Sequence, residues 1–224
     1  MKRILMASVF AAGAALGALS IAQAGTISLG LQESGVNGGA ITTVGTASLT
    51  GSASFGGSYG TFTLNTLGAQ GTPAPGGDFA SSSINTSSST PGTLTIYATE
   101  TGLTGPLGAY NMLSGLTENF LSGAIQMVGE ATYADTGNGA YALTTQLASD
   151  SFTGTGTFDK VTTTPDFTGP YSLTEVYTVV ATNTGTANST ILMTDVPEPG
   201  SLLLLGTGLL GLGLVVRRRH KSKV

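Results

Sequence analysis

Between Gly25 and Asp195 the sequence alternates with a period of two. Leu94, Ile96 and Ala98 alternate with Thr95, Tyr97 and Thr99. Thr61-Phe62-Thr63-Leu64-Asn65 repeats the pattern, and Ala47, Leu49, Gly51, Ala53 and Phe55 fall opposite Ser48, Thr50, Ser52 and Ser54. Successive side chains of a strand point to opposite faces, so this pattern describes strands that bury one face. Helix has no comparable support. Its nearest candidate, Leu113–Val128, is interrupted by Gly115 and Gly123, each costing roughly 1 kcal/mol against Ala in a helix.

Ser and Thr number 58 and Gly 34 among 224 residues, a composition that also occurs in disordered chains. Eight Phe and seven Tyr, with apolar runs recurring along the whole body, argue instead for a folded core. The strand candidates number eight to ten. Ala124–Tyr133 and Ala140–Leu147 flank Asp135-Thr136-Gly137-Asn138-Gly139, whose Asn-Gly reads as a hairpin turn. Ser172–Thr182 is the longest candidate, and Asn183-Thr184-Gly185-Thr186 reads as a turn into Asn188–Thr194. Residues 68–92, with Pro73, Pro75 and a Ser run, read as a long surface loop. Together these predict an all-β body, an antiparallel β-sandwich or jelly-roll-like fold, over 25–195.

Charge is segregated. Lys2 and Arg3 open the chain, and Arg217, Arg218, Arg219, Lys221 and Lys223 close it. Lys160 is the only basic residue between Gly25 and Asp195, against eleven acids, a net of -10. Such a body cannot present the basic surface that nucleic acid requires. Cys is absent, and the one His, His220, lies in the basic tail. The body therefore has no thiolate nucleophile, no disulfide, and no imidazole for proton transfer or zinc.

Few chemistries remain. A Ser nucleophile needs a base, and Lys160 beside Asp159 reads as a strand-end charge pair instead. No catalytic residue is assigned. Two carboxylates suffice for glycoside hydrolysis, but Asp78, Asp135 and Asp166 flank turns, where acids bond local backbone. Glu175 lies inside a predicted strand on the face of Leu173, Tyr177 and Val179 and reads as a solvated edge residue. No cofactor is required. Calcium is the one that the composition permits, with Asp135 and Asn138 as candidate ligands. The first reading of that pair is a plain hairpin turn, with calcium the alternative.

The two ends read as addresses. Residues 1–24 have the form of a signal peptide: Lys2 and Arg3, an apolar stretch from Ile4 to Leu19, and Ala22-Gln23-Ala24 as the small-x-small site. This predicts engagement of the Sec machinery and cleavage by signal peptidase. At the other end Val196-Pro197-Glu198-Pro199 precedes an uncharged stretch and then Arg217-Arg218-Arg219. Gly200–Val216 is 17 residues, roughly 25 Å as a helix and enough to cross a bilayer. The arginines would stay cytoplasmic.

This tail, 196–224, resembles the PEP-CTERM sorting signal through Pro197, Glu198, Pro199, Leu202–Val216 and Arg217–Arg219. The resemblance implies sorting by exosortase, a membrane-embedded cysteine transpeptidase-like enzyme, in a Gram-negative bacterium that makes exopolysaccharide. It implies a transient inner-membrane anchor over 200–216, then the cell surface or extracellular matrix, with exopolysaccharide or biofilm as the setting. The expectation is a non-enzymatic exported protein. A carbohydrate- or calcium-binding β-module and a carboxylate-dependent hydrolase are the alternatives.

Overall fold

The computed structural model describes residues 25–71, 78–196 and 206–209. Ten strands follow in chain order: β1 (Thr26–Glu33), β2 (Thr42–Ser48), β3 (Ser52–Tyr59), β4 (Phe62–Gly71), β5 (Asp78–Ser88), β6 (Gly92–Leu103), β7 (Asn111–Asp135), β8 (Thr145–Phe152), β9 (Gly156–Thr163) and β10 (Tyr171–Asp195). Strand makes up 72% of the described residues and helix 4%, so the chain is all-β. Every pairing between these strands is antiparallel.

The 25-residue strands β7 and β10 pair from Ser172↔Asp135 to Asp195↔Met112. The ladder shifts register at three places, most widely near its middle. Ala181 pairs with Ile125 and Gly185 with Gly123, so Thr182–Thr184 oppose Ala124 alone. This bulge bends both strands, as extra residues on one side of a ladder do. Gly123 has φ +67°, and a Cβ there would lie 2.5 Å from the Thr184 carbonyl oxygen. A Cβ on Gly185 would lie 2.7 Å from the Ser122 carbonyl oxygen. The two backbones approach too closely for any side chain at either position.

The bend folds one sheet into two layers. Residues 171–181 of β10 carry β6 on one side and residues 125–135 of β7 on the other. That layer runs β2-β1-β6-β10-β7-β8. Residues 185–195 of β10 carry β5 and residues 111–123 of β7, giving β3-β4-β5-β10-β7-β9. Ser114 and Thr132, on opposite halves of β7, share a 2.7 Å hydrogen bond across the interior. Between the layers Ile27, Leu29, Leu31, Leu94, Ile96 and Val179 form one core with Phe62, Leu64, Phe79, Ile84, Leu116, Ile191 and Met193. The fold is an antiparallel sandwich.

Thr26 pairs with Thr101, Tyr171 with Leu103, and Asp195 with Met112. The start of β1 and the end of β10 therefore lie at one end of the sandwich, and the Gly123–Gly185 bend lies at the other.

Several sequence expectations are corrected here. Asn183-Thr184-Gly185-Thr186 is a bulge inside one continuous strand, because β7 supplies a partner on both sides of it. The hairpin after Asp135 is a nine-residue connection, 136–144, since β8 begins at Thr145 and not at Ala140. It folds over the outer face of β6, where Tyr141 meets Tyr97 edge-on, with ring centroids 5.9 Å apart. Ala47–Phe55 spans a turn between β2 and β3. The loop expected over 68–92 is mostly strand: Gly68–Gly71 closes β4 and Asp78–Ser88 is β5. Ser, Thr and Asn suit an outer sheet face as well as a loop, so composition misled there.

The bend generates a prediction. Gly123→Ala and Gly185→Ala each lower unfolding stability by about 1–3 kcal/mol, as overpacking against fixed backbone does. Gly154→Ala, which meets open space, changes it by less than about 0.5 kcal/mol. Urea midpoints at unchanged m-value check this.

Candidate functional site

In sequence the tail follows the last strand directly. Asp195 makes the last rung of β10, and the Val196 N–H donates to the Asn111 carbonyl at 2.8 Å. Pro197, the first proline of the motif, is the next residue. Pro197, Glu198 and Pro199 lie outside the described residues, as do Ala22, Ala24, Arg217, Arg218 and Arg219. Gly206–Leu209 is helical and exposed. Among the described residues no helix is long and apolar enough to cross a membrane.

The two loops that meet at this end are tied together. Gly108 and Phe167 exchange backbone hydrogen bonds of 2.9 and 3.3 Å. Phe167 stacks on Tyr171 with centroids 3.8 Å apart, and Tyr110 tilts against Phe167. The Tyr171 hydroxyl donates to the Gly105 carbonyl at 2.7 Å and lies 3.0 Å from the Tyr110 hydroxyl.

The interior holds the second notable group. Glu100, Glu118, Glu130 and Glu175 are each 1% exposed. They follow from alternation: each occupies an inward position on β6, β7 or β10. Glu175 is thus a core residue and not a solvated edge residue, because Leu173, Tyr177 and Val179 share its face and all point inward. Glu118 accepts from the Ser189 hydroxyl, from the Asn188 N–H at 3.2 Å and from the Tyr177 hydroxyl at 3.3 Å. Neither oxygen of Glu130 has a hydrogen-bond partner, nor has Oε1 of Glu100. Burial pushes Glu100 and Glu130 up to about 8. It raises Glu118 too, although the Ser189, Asn188 and Tyr177 donors pull the other way. The body's one cation, Lys160, lies exposed on β9, so burial favours the neutral form of Glu100 and Glu130. Glycoside hydrolysis needs carboxylates that reach a sugar, and these four face a packed interior. The gap beside Glu175 and Tyr177 has no room for a water molecule.

Asp135 and Asn138 do come together in one loop, but around protein donors. Asp135 accepts from the Gly139 N–H at 2.8 Å and the Thr144 hydroxyl at 2.7 Å. Burial pushes its carboxyl up, but bonds from Thr144, Gly139 and Gly137 outweigh that and hold it below the ordinary range. Asn138, at φ +58°, accepts from the Gly102 N–H at 2.6 Å through Oδ1. The pair docks the 136–144 connection onto β6. Among the described residues no three His, Cys, Asp or Glu side chains are grouped to hold a metal.

One surface arrangement was invisible in the sequence. Register places Asn85 beside Asn188, and Asn188 beside Phe120. Asn65 joins the row, donating from Nδ2 to Asn85 Oδ1 at 3.1 Å. Asn119 Nδ2 donates to Thr190 Oγ1 at 3.1 Å alongside, and Phe120 is 50% exposed. The result is an uncharged amide row with one open aromatic ring on the outer face of the β3–β9 layer. Only cross-strand register assembles it, from residues as far apart as 65 and 188.

The PEP-CTERM protein-sorting motif matches residues 195–219, beginning at the last residue of β10. The chain therefore carries that sorting motif, and its first residues are the end of the sandwich. No curated protein matches. Among solved structures, the enzymatically active domain of bacteriophage CBA120 tailspike protein 4 is similar at 12% identity and TM-score 0.29, over 78% of this chain. This chain spans 20% of that tailspike's length. A cleaved adhesin domain of Lys-gingipain from Porphyromonas gingivalis gives 13% identity and TM-score 0.33, covering 66% of this chain and 85% of that one. The C-terminal CBM6 of LamC from Zobellia galactanivorans gives 12% and 0.25, covering 64% and 99%. Similarity this low carries no argument about fold or activity.

Glu100 and Glu130 set a pH dependence. Below about pH 4.5 they are protonated in folded and unfolded chains alike. Above it the unfolded chain releases protons that the folded chain keeps until about pH 8, so stability falls as pH rises through that window. Asp135 works in the opposite sense, but below its ordinary value of 3.8. The melting temperature is therefore expected to fall steadily from pH 5 to pH 8. Replacing both Glu100 and Glu130 by Gln flattens the slope. A wild-type melting temperature constant over that range refutes the assignment.

Proposed function

We propose that this chain is an exported, non-enzymatic surface or matrix protein, made as a precursor and sorted by exosortase. The supporting observation is the sorting motif continuous with the end of β10. In this reading residues 1–24 direct Sec export and are removed by signal peptidase. Residues 200–216 hold the precursor in the inner membrane of a Gram-negative cell, with Arg217–Arg219 on the cytoplasmic side. Exosortase reads Pro197-Glu198-Pro199 and frees the sandwich to the cell surface or matrix, in an exopolysaccharide or biofilm setting. The sandwich is cargo built to persist. It is stabilised by a large two-layer core without Cys. Deleting Pro197–Pro199 should leave the protein in the inner-membrane fraction; undiminished release to the surface would overturn the reading.

A second reading, binding of neutral carbohydrate, is favoured by the Asn65–Asn85–Asn188–Phe120 row. An exposed ring supplies a stacking surface, and ordered amides supply donors and acceptors at fixed spacing. A strongly acidic body repels anionic polymers, whereas this row is uncharged. Affinity electrophoresis through gels containing a neutral glucan tests it. Retardation should be lost on combining Phe120→Ala with Asn188→Ala at unchanged melting temperature. Equal mobility of wild type with and without glucan removes this reading.

A further inference from the structure

We infer that the end of the sandwich carrying Leu107 docks on the bilayer surface while the tail is still attached. The inference rests on the anchor reading above and adds which face meets the membrane. Val196 is pinned to Asn111 by its N–H, and the apolar run begins at Leu202. Fully extended, the chain from Val196 to Leu202 spans at most roughly 20 Å. The end of β10 therefore hangs within that reach of the hydrocarbon, and part of the distance is taken up by the headgroup layer. Whatever lies at this end of the sandwich meets the membrane first.

Three of the exposed large apolar side chains lie toward that end. Leu107 is 56% exposed, four residues before Asn111, in the loop that the Tyr110–Phe167–Tyr171 stack holds down. Val161, 54% exposed, is two residues from the end of β9, whose Thr163 pairs with the same Asn111. Leu143, 45% exposed, precedes Thr144, which bonds Asp135 at the end of β7. The other large exposed apolar side chain of the described body, Phe120, lies near the bend at the far end. Asp166 is exposed and Asp195 half-buried at the near end, with no Lys or Arg among residues 104–110 and 164–170. The partner is therefore a bilayer surface of zwitterionic lipid, since anionic headgroups would be repelled. One leucine side chain is too small an anchor to hold the protein alone. The tether supplies the effective concentration, and removal of the tail releases the face.

The test uses the full chain in phosphatidylcholine nanodiscs. The chain has no Cys, so L107C and F120C each offer one thiol for an environment-sensitive fluorophore. The probe at 107 should shift to the blue and be quenched by headgroup spin-labelled lipid, and the probe at 120 should do neither. Adding phosphatidylserine to the nanodisc should weaken both effects at 107. If the chain resists alkaline carbonate extraction yet both probes report water, the docking is wrong and the anchor stands. If carbonate extracts the chain, the anchor reading falls and the docking falls with it.

Discussion

The sandwich depends on one close approach of two backbones. Where β7 and β10 cross from one layer to the other, Gly123 and Gly185 face each other with no space for a side chain. Without that contact the two 25-residue strands would continue as a flat ribbon, and their inward residues would have nothing to pack against. The bulge of Thr182–Thr184 supplies the extra length on the outside of the bend, and the exposure of these three residues fits that position. Every other strand pairs onto one half of this crossed pair, directly or through a neighbour. The central pair therefore fixes the layer to which each strand belongs.

The all-β class was legible because alternation is local. Leu94, Ile96 and Ala98, read as one face of a strand, are all buried in β6. The errors share one cause. Turn chemistry is also local, but whether Asn-Thr-Gly-Thr turns the chain or only kinks it depends on a partner elsewhere. At 183–186 that partner is β7, more than fifty residues upstream. Asp135-Thr136-Gly137-Asn138-Gly139 failed as a tight hairpin for the same reason, since Asn138 is drawn to the Gly102 N–H on β6. The sorting tail was fully legible, because a proteolytic or sorting address is read as linear sequence. The amide row was not, because register assembles it.

The acidic count takes on a different meaning once burial is known. Eleven acids against one Lys give the body a formal charge of -10. Glu100 and Glu130 are instead held neutral inside, so the folded body near neutral pH carries fewer charges than its formula. Neutral buried carboxyls are costly relative to apolar residues of the same size. Their placement gives the core polar fixed points, such as Glu118 joining β7 to Tyr177 and Ser189 of β10. The Tyr177 contact ties the two halves of the bent pair to each other across the interior. Leucine in the same places would pack but would not select a register.

Placing the sorting motif flush against the last strand has a mechanical consequence. Asp195, the first residue of the motif match, and Val196 are both hydrogen-bonded into the sheet. What the structure fixes is how readily the final rungs of β10 open. Opening them is inexpensive only at the extreme end of the ladder, where Val196 and Asp195 are half-buried and strand ends fray. Two residues inward, Met193 is fully buried in the core, and the sheet would resist. The fold therefore holds β10 closed as far as Met193, two residues before the match to the sorting motif begins at Asp195.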